Sequence, residues 1–229
     1  LIHFLKSYFN DISNKEKIEL FIERAKNENA WFSDSLIRHA MKSIENQFFD
    51  RGIWEQFFKE QGEPSTTPQI VGLVLAGNLP AVGMHDVLMT LSSGNKAWVK
   101  PSSQDKALLE LYIQAIHEFD ATIPIQIVDR LQGIQAVIAT GSDFSGGYFA
   151  HYFAQMPHII RKNRSSLAIL TGQETKTDFT QLARDIFTYY GLGCRNVSSL
   201  AVPLDYDLTA LFDVLTKETW VLDHSKYSN

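Results

Sequence analysis

From Gln69 onward, short apolar runs alternate with helical patterns, and this alternation limits the fold more than any other feature of the chain. Gln69 to Ala76 is a β-branched apolar run closed by Gly77, as suits a strand buried on both faces. Gly83 to Ser92 reads as a helix, which Gly94 can end in the left-handed region. Lys96 to Lys100 is a second strand, stopped by Pro101. Gln104 to Phe119 is helical, and Ile125–Val128 and Ala136–Thr140 are further strands. A helix from about Gly146 to Gln155 follows. This order predicts an α/β fold with a doubly wound parallel sheet. Later, a helical run from Asp178 to Tyr190 precedes a strand-like run from Ser199 to Pro203.

The first 61 residues carry a different period. Ser13-Asn14-Lys15-Glu16 marks a helix start, with Ile18, Phe21, Ile22 and Ala25 on one face. Ser33-Asp34 opens a second helix carrying Ile37, Met41, Ile44 and Phe48, and Ile53 to Glu60 is a short third. The aromatics here, Trp31, Phe32, Phe48, Phe49, Trp54, Phe57 and Phe58, suit packing rather than a ligand box. Gly62 to Pro68 (Gly-Glu-Pro-Ser-Thr-Thr-Pro) reads as a linker. The expected organisation is an N-terminal helical segment (1–62), a nucleotide-binding domain (69–165), and a further segment from 166 to 229.

Composition narrows the function classes. A net charge of −5 argues against a protein held to nucleic acid by phosphate contacts. A single cysteine cannot make an internal disulfide, so nothing points to secretion. No apolar run approaches the ~18 residues a membrane span needs. A cytoplasmic location is therefore expected. The seven histidines show no metal-ligand spacing, so no metal is expected.

In a doubly wound sheet, ligands bind beyond the carboxyl ends of the strands. The residues there are Gly77-Asn78-Leu79-Pro80, Lys100-Pro101-Ser102-Ser103 and Thr140-Gly141-Ser142. Gly141-Ser142 stands at a strand-to-helix turn, where free N–H groups and the helix dipole suit a phosphate. An ordinary N-cap serine reads the same way. Lys100 can reach a ribose or phosphate, or lie in solvent. Asn78 can donate to a developing oxyanion, or simply turn the chain before Leu79-Pro80. The basic run Arg161-Lys162-Asn163-Arg164 suits a solvated turn or a phosphate contact. No Gly-x-Gly-x-x-Gly fingerprint follows any strand, so a standard dinucleotide loop is not supported.

Cys194 lies in Tyr189-Tyr190-Gly191-Leu192-Gly193-Cys194-Arg195-Asn196-Val197-Ser198, on a bend punctuated by Gly191 and Gly193. Its small neighbours admit another molecule, and a positive charge such as Arg195 favours thiolate chemistry. A nucleophile carrying an acyl group as a thioester is one reading. A small buried hydrophobe is the other.

Taken together, these stretches resemble the aldehyde dehydrogenase superfamily, in order, from about Val71 to Pro203. Ala76-Gly77-Asn78-Leu79-Pro80 is similar to the family's Asn-Phe-Pro turn, and Leu91 to Ser102 to its Ala-Gly-Asn-Thr-Val-Val-Leu-Lys-Pro segment. Ala139-Thr140-Gly141-Ser142 is similar to its Thr-Gly-Ser phosphate turn, and Gly193-Cys194 falls at its catalytic cysteine. Pro157 to Ser166 and Tyr190 to Ser198 more specifically resemble the acyl-CoA reductases of the bacterial luminescence type (LuxC-like). The family's water-activating Glu has no counterpart near Ile160-Arg161-Lys162-Asn163.

This resemblance implies an NAD(P)H-dependent reductase of an acyl-CoA or acyl-carrier thioester, giving a fatty aldehyde. It implies catalysis by Cys194 and Asn78, and cofactor binding by Lys100, Ser102, Ser103, Gly141 and Ser142. The uncharged Ser103, three residues after Lys100, leaves room for a 2′-phosphate, so NADPH is expected over NADH. An acyl-transferring partner protein and a homo-oligomer are also implied. The chain begins without Met, and 166–229 is expected to be only the start of a catalytic domain that continues past Asn229. A catalytically silent nucleotide-binding or scaffolding subunit, a reductase of acyl phosphates and an acylating aldehyde dehydrogenase are the alternatives.

Overall fold

The structure is a computed structural model and describes residues 1–228. It divides into two compact units, Leu1–Lys162 and a second from Asn163 onward.

The first unit opens with α1 (Ile2–Asn10), α2 (Lys15–Glu28), α3 (Asp34–Phe48) and α4 (Arg51–Gln61). Local chemistry sets their starts. Ser33 Oγ accepts the N–H of Leu36, and Asp50 Oδ1 that of Ile53. Asp11 caps a short 3₁₀ turn at Ile12–Asn14, and α2 begins at Lys15, within the expected start signal.

Then come β1 (Ile70–Val74), α5 (Met84–Ser92), β2 (Lys96–Lys100), α6 (Lys106–Phe119), β3 (Ile125–Ile127), β4 (Ala136–Thr140), α7 (Asp143–Tyr152) and β5 (His158–Arg161). The strands form one sheet, every pair parallel, in the order β3-β2-β1-β4-β5. The chain winds one way from β1 to β3 and the other way from β4 to β5. Right-handed crossovers therefore put α5 and α6 on one face and α7 on the other.

Leu73, Ala97 and Val99 of the sheet are fully buried, and so are Leu108, Leu111 and Ile116 of α6. The α6 helix is buried almost all round because α1 and α2 cover its outer side. Arg24 of α2 pairs with Glu110 of α6 at 2.7 Å, and Lys17 pairs with Glu118. The N-terminal helices are thus part of this unit's core.

Close approach requires glycine at Gly94 and at Gly77. Gly94 sits at φ +80°, and a Cβ there would lie 2.6 Å from the carbonyl of Ser65. A Cβ on Gly77 would lie 2.5 Å from Ser102 Oγ, so the turns after β1 and β2 are in van der Waals contact.

The second unit pairs β6 (Ser166–Ile169) in parallel with β7 (Val197–Ala201) across the crossover helix α8 (Lys176–Phe187). α9 (Thr209–Leu215) and α10 (Ser225–Ser228) follow. A capping box between Thr175 and Asp178 starts α8. Phe179, Leu182 and Ala183 of α8 pack with Leu170, Leu211 and Val214.

Several boundaries differ from the sequence expectation. The helix expected from Gly146 begins at Asp143, because Ser142 caps it. The helix expected to reach Tyr190 stops at Phe187, because Tyr189 and Tyr190 turn left-handed. β5 and β6 were not expected at all, since each is only four residues long and exposed on much of its length.

Candidate active site

In the first unit, the order reverses between β1 and β4, which opens the crevice of a doubly wound sheet at their carboxyl ends. Register sets Val74 opposite both Lys100 and Ala139, and Thr140 opposite Arg161. Asn78, Lys100, Ser102, Ser103, Gly141 and Ser142 therefore all stand at one edge of one sheet.

Lys100 and Ser103 are exposed. Ser102 packs against Gly77, and its Oγ accepts the N–H of Gln104 at 3.2 Å. Ser142 is the N-cap of α7, its Oγ accepting from Ser145 at 3.3 Å. The N–H groups of Asp143 and Phe144, in the first turn, have no intrahelical acceptor. Gly141 has no room for a side chain, since a Cβ would lie 2.4 Å from Ser145 Oγ.

Asn78 is the exposed residue of a turn whose neighbours Gly77 and Pro80 are buried. The turn is held from both sides. Asn29, at the end of α2, donates its amide to the Gly77 carbonyl at 3.0 Å. Asp105, 4% exposed, is buried with its Oδ1 lacking a hydrogen-bond partner among the described residues, and the N–H groups of Ala81 and Val82 favour its charged form. Burial pushes the Asp105 pKa well up against those two N–H groups, and the Glu28 charge adds to the rise. Asp105 precedes α6 but does not cap it. Glu28 of α2 does, accepting from Lys106 and Ala107 at 2.9 and 2.8 Å. Ala81, almost fully buried, is left-handed at φ 54°, a conformation that costs a non-glycine residue ~1 kcal/mol or more.

Arg161, in the basic run at the end of β5, is neither a solvated turn nor a free phosphate ligand. Its Nη1 donates to both carboxylate oxygens of Asp86 in the first turn of α5, at 2.6 Å for Oδ2. Burial raises the Asp86 pKa, but hydrogen bonds from His85 and Arg161 outweigh it and hold the carboxyl below its usual range. The Lys162 stem lies where a Cβ of Gly146 would be, 2.6 Å from its Cγ.

In the second unit, α8 runs into a 3₁₀ turn at Thr188–Gly191. Tyr189 and Tyr190 stand at φ 55° and 56°, and Gly191 at 74°. Two successive left-handed tyrosines cost about 1–2 kcal/mol each. Burial raises the Tyr189 pKa to about 12. The Tyr190 ring packs on His224, Trp220 and Tyr227, with centroids at 4.4, 5.6 and 5.9 Å.

Gly193 O accepts the N–H of Asn196 at 2.9 Å, closing a turn with Cys194 and Arg195 at its tip. Cys194 is exposed, not buried. Its carbonyl accepts from Ser166 Oγ at 3.0 Å. Among the described residues, no backbone carbonyl takes its N–H. The Asn196 side chain accepts from Gly193 N and donates to Asp185 O and Thr188 O, all at 2.8 Å.

Asn29, Asp105, Asp86 and Asn196 escaped the sequence reading. Asp105 carried a signal, since it precedes a helical run, but the signal is that of a cap and Glu28 takes that role. No group of three potential metal ligands occurs among the described residues. No helix among them is long and apolar enough to cross a membrane.

A doubly wound sheet followed by a parallel unit bearing an exposed cysteine turn defines an aldehyde dehydrogenase-like fold, and solved structures agree. The chain is similar to the NAD⁺ complex of an aldehyde dehydrogenase from Bacillus cereus (TM-score 0.68, 16% identity, 95% of this chain and 49% of that one). It is also similar to a succinic semialdehyde dehydrogenase from Streptococcus pyogenes in complex with NADP⁺ (TM-score 0.71, 14% identity, 94% and 52%). A third is Proline Utilization A from Corynebacterium freiburgense (TM-score 0.72, 16% identity, 96% and 24%). The chain thus spans about half the length of the aldehyde dehydrogenases it matches. A search of curated proteins returns no match. The family profile described as acyl-CoA reductase (LuxC) matches residues 40–205, most of the chain. The chain belongs to that acyl-CoA reductase family.

Proposed function

We propose that the protein reduces an acyl-CoA or acyl-carrier thioester to an aldehyde, with Cys194 carrying the acyl group. The observation that carries this reading is the exposed Cys194 at the tip of a held turn, within a chain of the acyl-CoA reductase family.

Cys194 Sγ attacks the thioester carbonyl carbon. The carbon–sulfur bond to the carrier breaks, and the carrier leaves as a thiol after taking a proton. The acyl group is then a thioester of Cys194. The Cys194 N–H, which no backbone carbonyl takes among the described residues, suits the oxyanion. Asn78 keeps the oxyanion role that the family resemblance implies.

The residues at the sheet edge fit a dinucleotide. The first turn of α7 offers N–H groups to a pyrophosphate, Gly141 keeps the backbone bare there, and Lys100 is exposed for a ribose. Bound there in reduced form, a nicotinamide cofactor supplies the hydride that releases the acyl group as aldehyde and frees the thiol. Ser103 presents no charge to a 2′-phosphate, which favours NADPH. Asp86, the carboxylate that meets the end of β5, is buried and engaged by Arg161. It is no base for water, which favours a lasting thioester over hydrolysis to acid.

The test is intact-mass spectrometry after incubation with a fatty acyl-CoA and no nicotinamide. The native protein should gain one acyl group and Cys194→Ser none. NADPH should then return the mass and release aldehyde. A native protein that gains no mass would overturn the reading and favour the scaffolding alternative. Acyl phosphates tested alongside separate the two reductase readings.

A further inference from the structure

Asn196 lies two residues beyond the thiol and uses both donors and the acceptor of its amide on the surrounding backbone. It draws together three points of the chain. Asp185 O belongs to the last turn of α8, where helix carbonyls lack partners. Thr188 O directly precedes the left-handed tyrosines. Gly193 N–H directly precedes Cys194. Its own backbone N–H also returns to Gly193 O, so Gly193 is held on both sides by one residue. Gly193 N–H is thereby occupied, and among the described residues no backbone carbonyl takes the N–H of Cys194 or of Arg195 at the tip.

We propose that Asn196 is a positioning residue for Cys194: it locks the Gly193–Asn196 turn against the end of α8, fixing where the thiol and its N–H project. The inference rests on Cys194 as the acyl-accepting thiol and goes beyond that reading by naming what aims it. Left-handed tyrosines do not hold themselves, because the local backbone prefers other conformations. The Asn196 amide spans that segment and transmits its shape to the cysteine. Two donors and one acceptor in one planar group are needed, which neither Asp nor Ser provides.

The test compares the full protein with Asn196→Ala and Asn196→Asp. Asp keeps the acceptor for Gly193 N–H but sets a carboxylate against two carbonyls. Three quantities are read: the acylation rate at saturating acyl-CoA, the KM for acyl-CoA, and the rate of Cys194 alkylation by iodoacetamide. All are measured well below each variant's melting temperature. Asn196→Ala should lower the acylation rate about 10- to 100-fold, as small misplacements of reacting groups do. KM should stay within about twofold, and alkylation should change with the acylation rate. Asn196→Asp should be no better than Ala. If either folded variant acylates and alkylates within about twofold of native, the inference is overturned and Asn196 only stabilises the loop. If the native protein forms no acyl adduct, the acyl-transfer reading falls, and alkylation alone decides this inference. If Ala fails to fold, the Asp variant decides.

Discussion

Arg161 grips the buried carboxylate of Asp86 through both of its oxygens, tying the end of β5 to the start of α5. Removing the arginine leaves a charge that is 5% exposed, with His85 beside it as its remaining side-chain partner among the described residues. Arg161→Met should cost about 3 kcal/mol, the low end for breaking a buried pair because the guanidinium is itself part exposed. Urea unfolding measures it. The pH sign follows from the lowered Asp86 pKa. The pair contributes fully above the ordinary Asp value of 3.8 and is lost as pH falls through the lower folded value. The variant should unfold at higher pH in an acid titration than the native protein. An unchanged acid midpoint would mean that Asp86 is not held by Arg161.

Asp105 has the opposite sign. Its folded pKa lies well above 3.8, so the folded state binds the proton more tightly and stability falls as pH rises from that value. Asp105→Asn removes the titration and can still offer an oxygen to Ala81 and Val82. The melting temperature of the variant relative to native should therefore climb with pH above about 4, which a thermal-melt series reads directly. A constant gap would contradict the burial argument.

Gly77 has no space for a methyl group. Gly77→Ala sets a carbon 2.5 Å from Ser102 Oγ and 2.6 Å from its Cβ, an overpacking that should cost about 1–3 kcal/mol. Gly77 is next to Asn78, so under the proposed oxyanion role of Asn78 acylation of Cys194 should slow. Adding Ser102→Gly should restore most of the melting temperature. If the double variant melts like the single one, the clash lies elsewhere.

Ser103→Asp tests cofactor choice. A carboxylate three residues past Lys100 repels a 2′-phosphate, so kcat/KM with NADPH should fall about tenfold, or ~1.4 kcal/mol, while NADH is little affected. Equal losses with both cofactors would remove Ser103 from that role.

The sheet was readable in the sequence because its signals are local. β1, β2 and β4 are apolar runs, and Gly77, Pro101 and Gly141 stop them. Reading them in order was enough to place Asn78, Lys100 and Ser142 at strand ends. The supports behind those residues were not readable. Asn29 reaches Gly77 across 48 positions, Arg161 reaches Asp86 across 75 and Glu28 reaches Lys106 across 78. No periodicity encodes such pairs. Asn196 was in plain view within the cysteine run, yet its role depends on where a helix ends and a left-handed turn begins, which the helical pattern through Tyr190 concealed. β5 and β6 were missed because four residues are too few for a strand period to show.

The bond from Asn29 to Gly77 and the cap from Glu28 to α6 both come from the end of α2. The turn that presents Asn78 is therefore not an independent surface loop. Its amides can open to solvent exchange only when the helices before residue 62 release the sheet. Hydrogen exchange at Ala81 and Val82 should follow the opening of the whole first unit rather than local fraying.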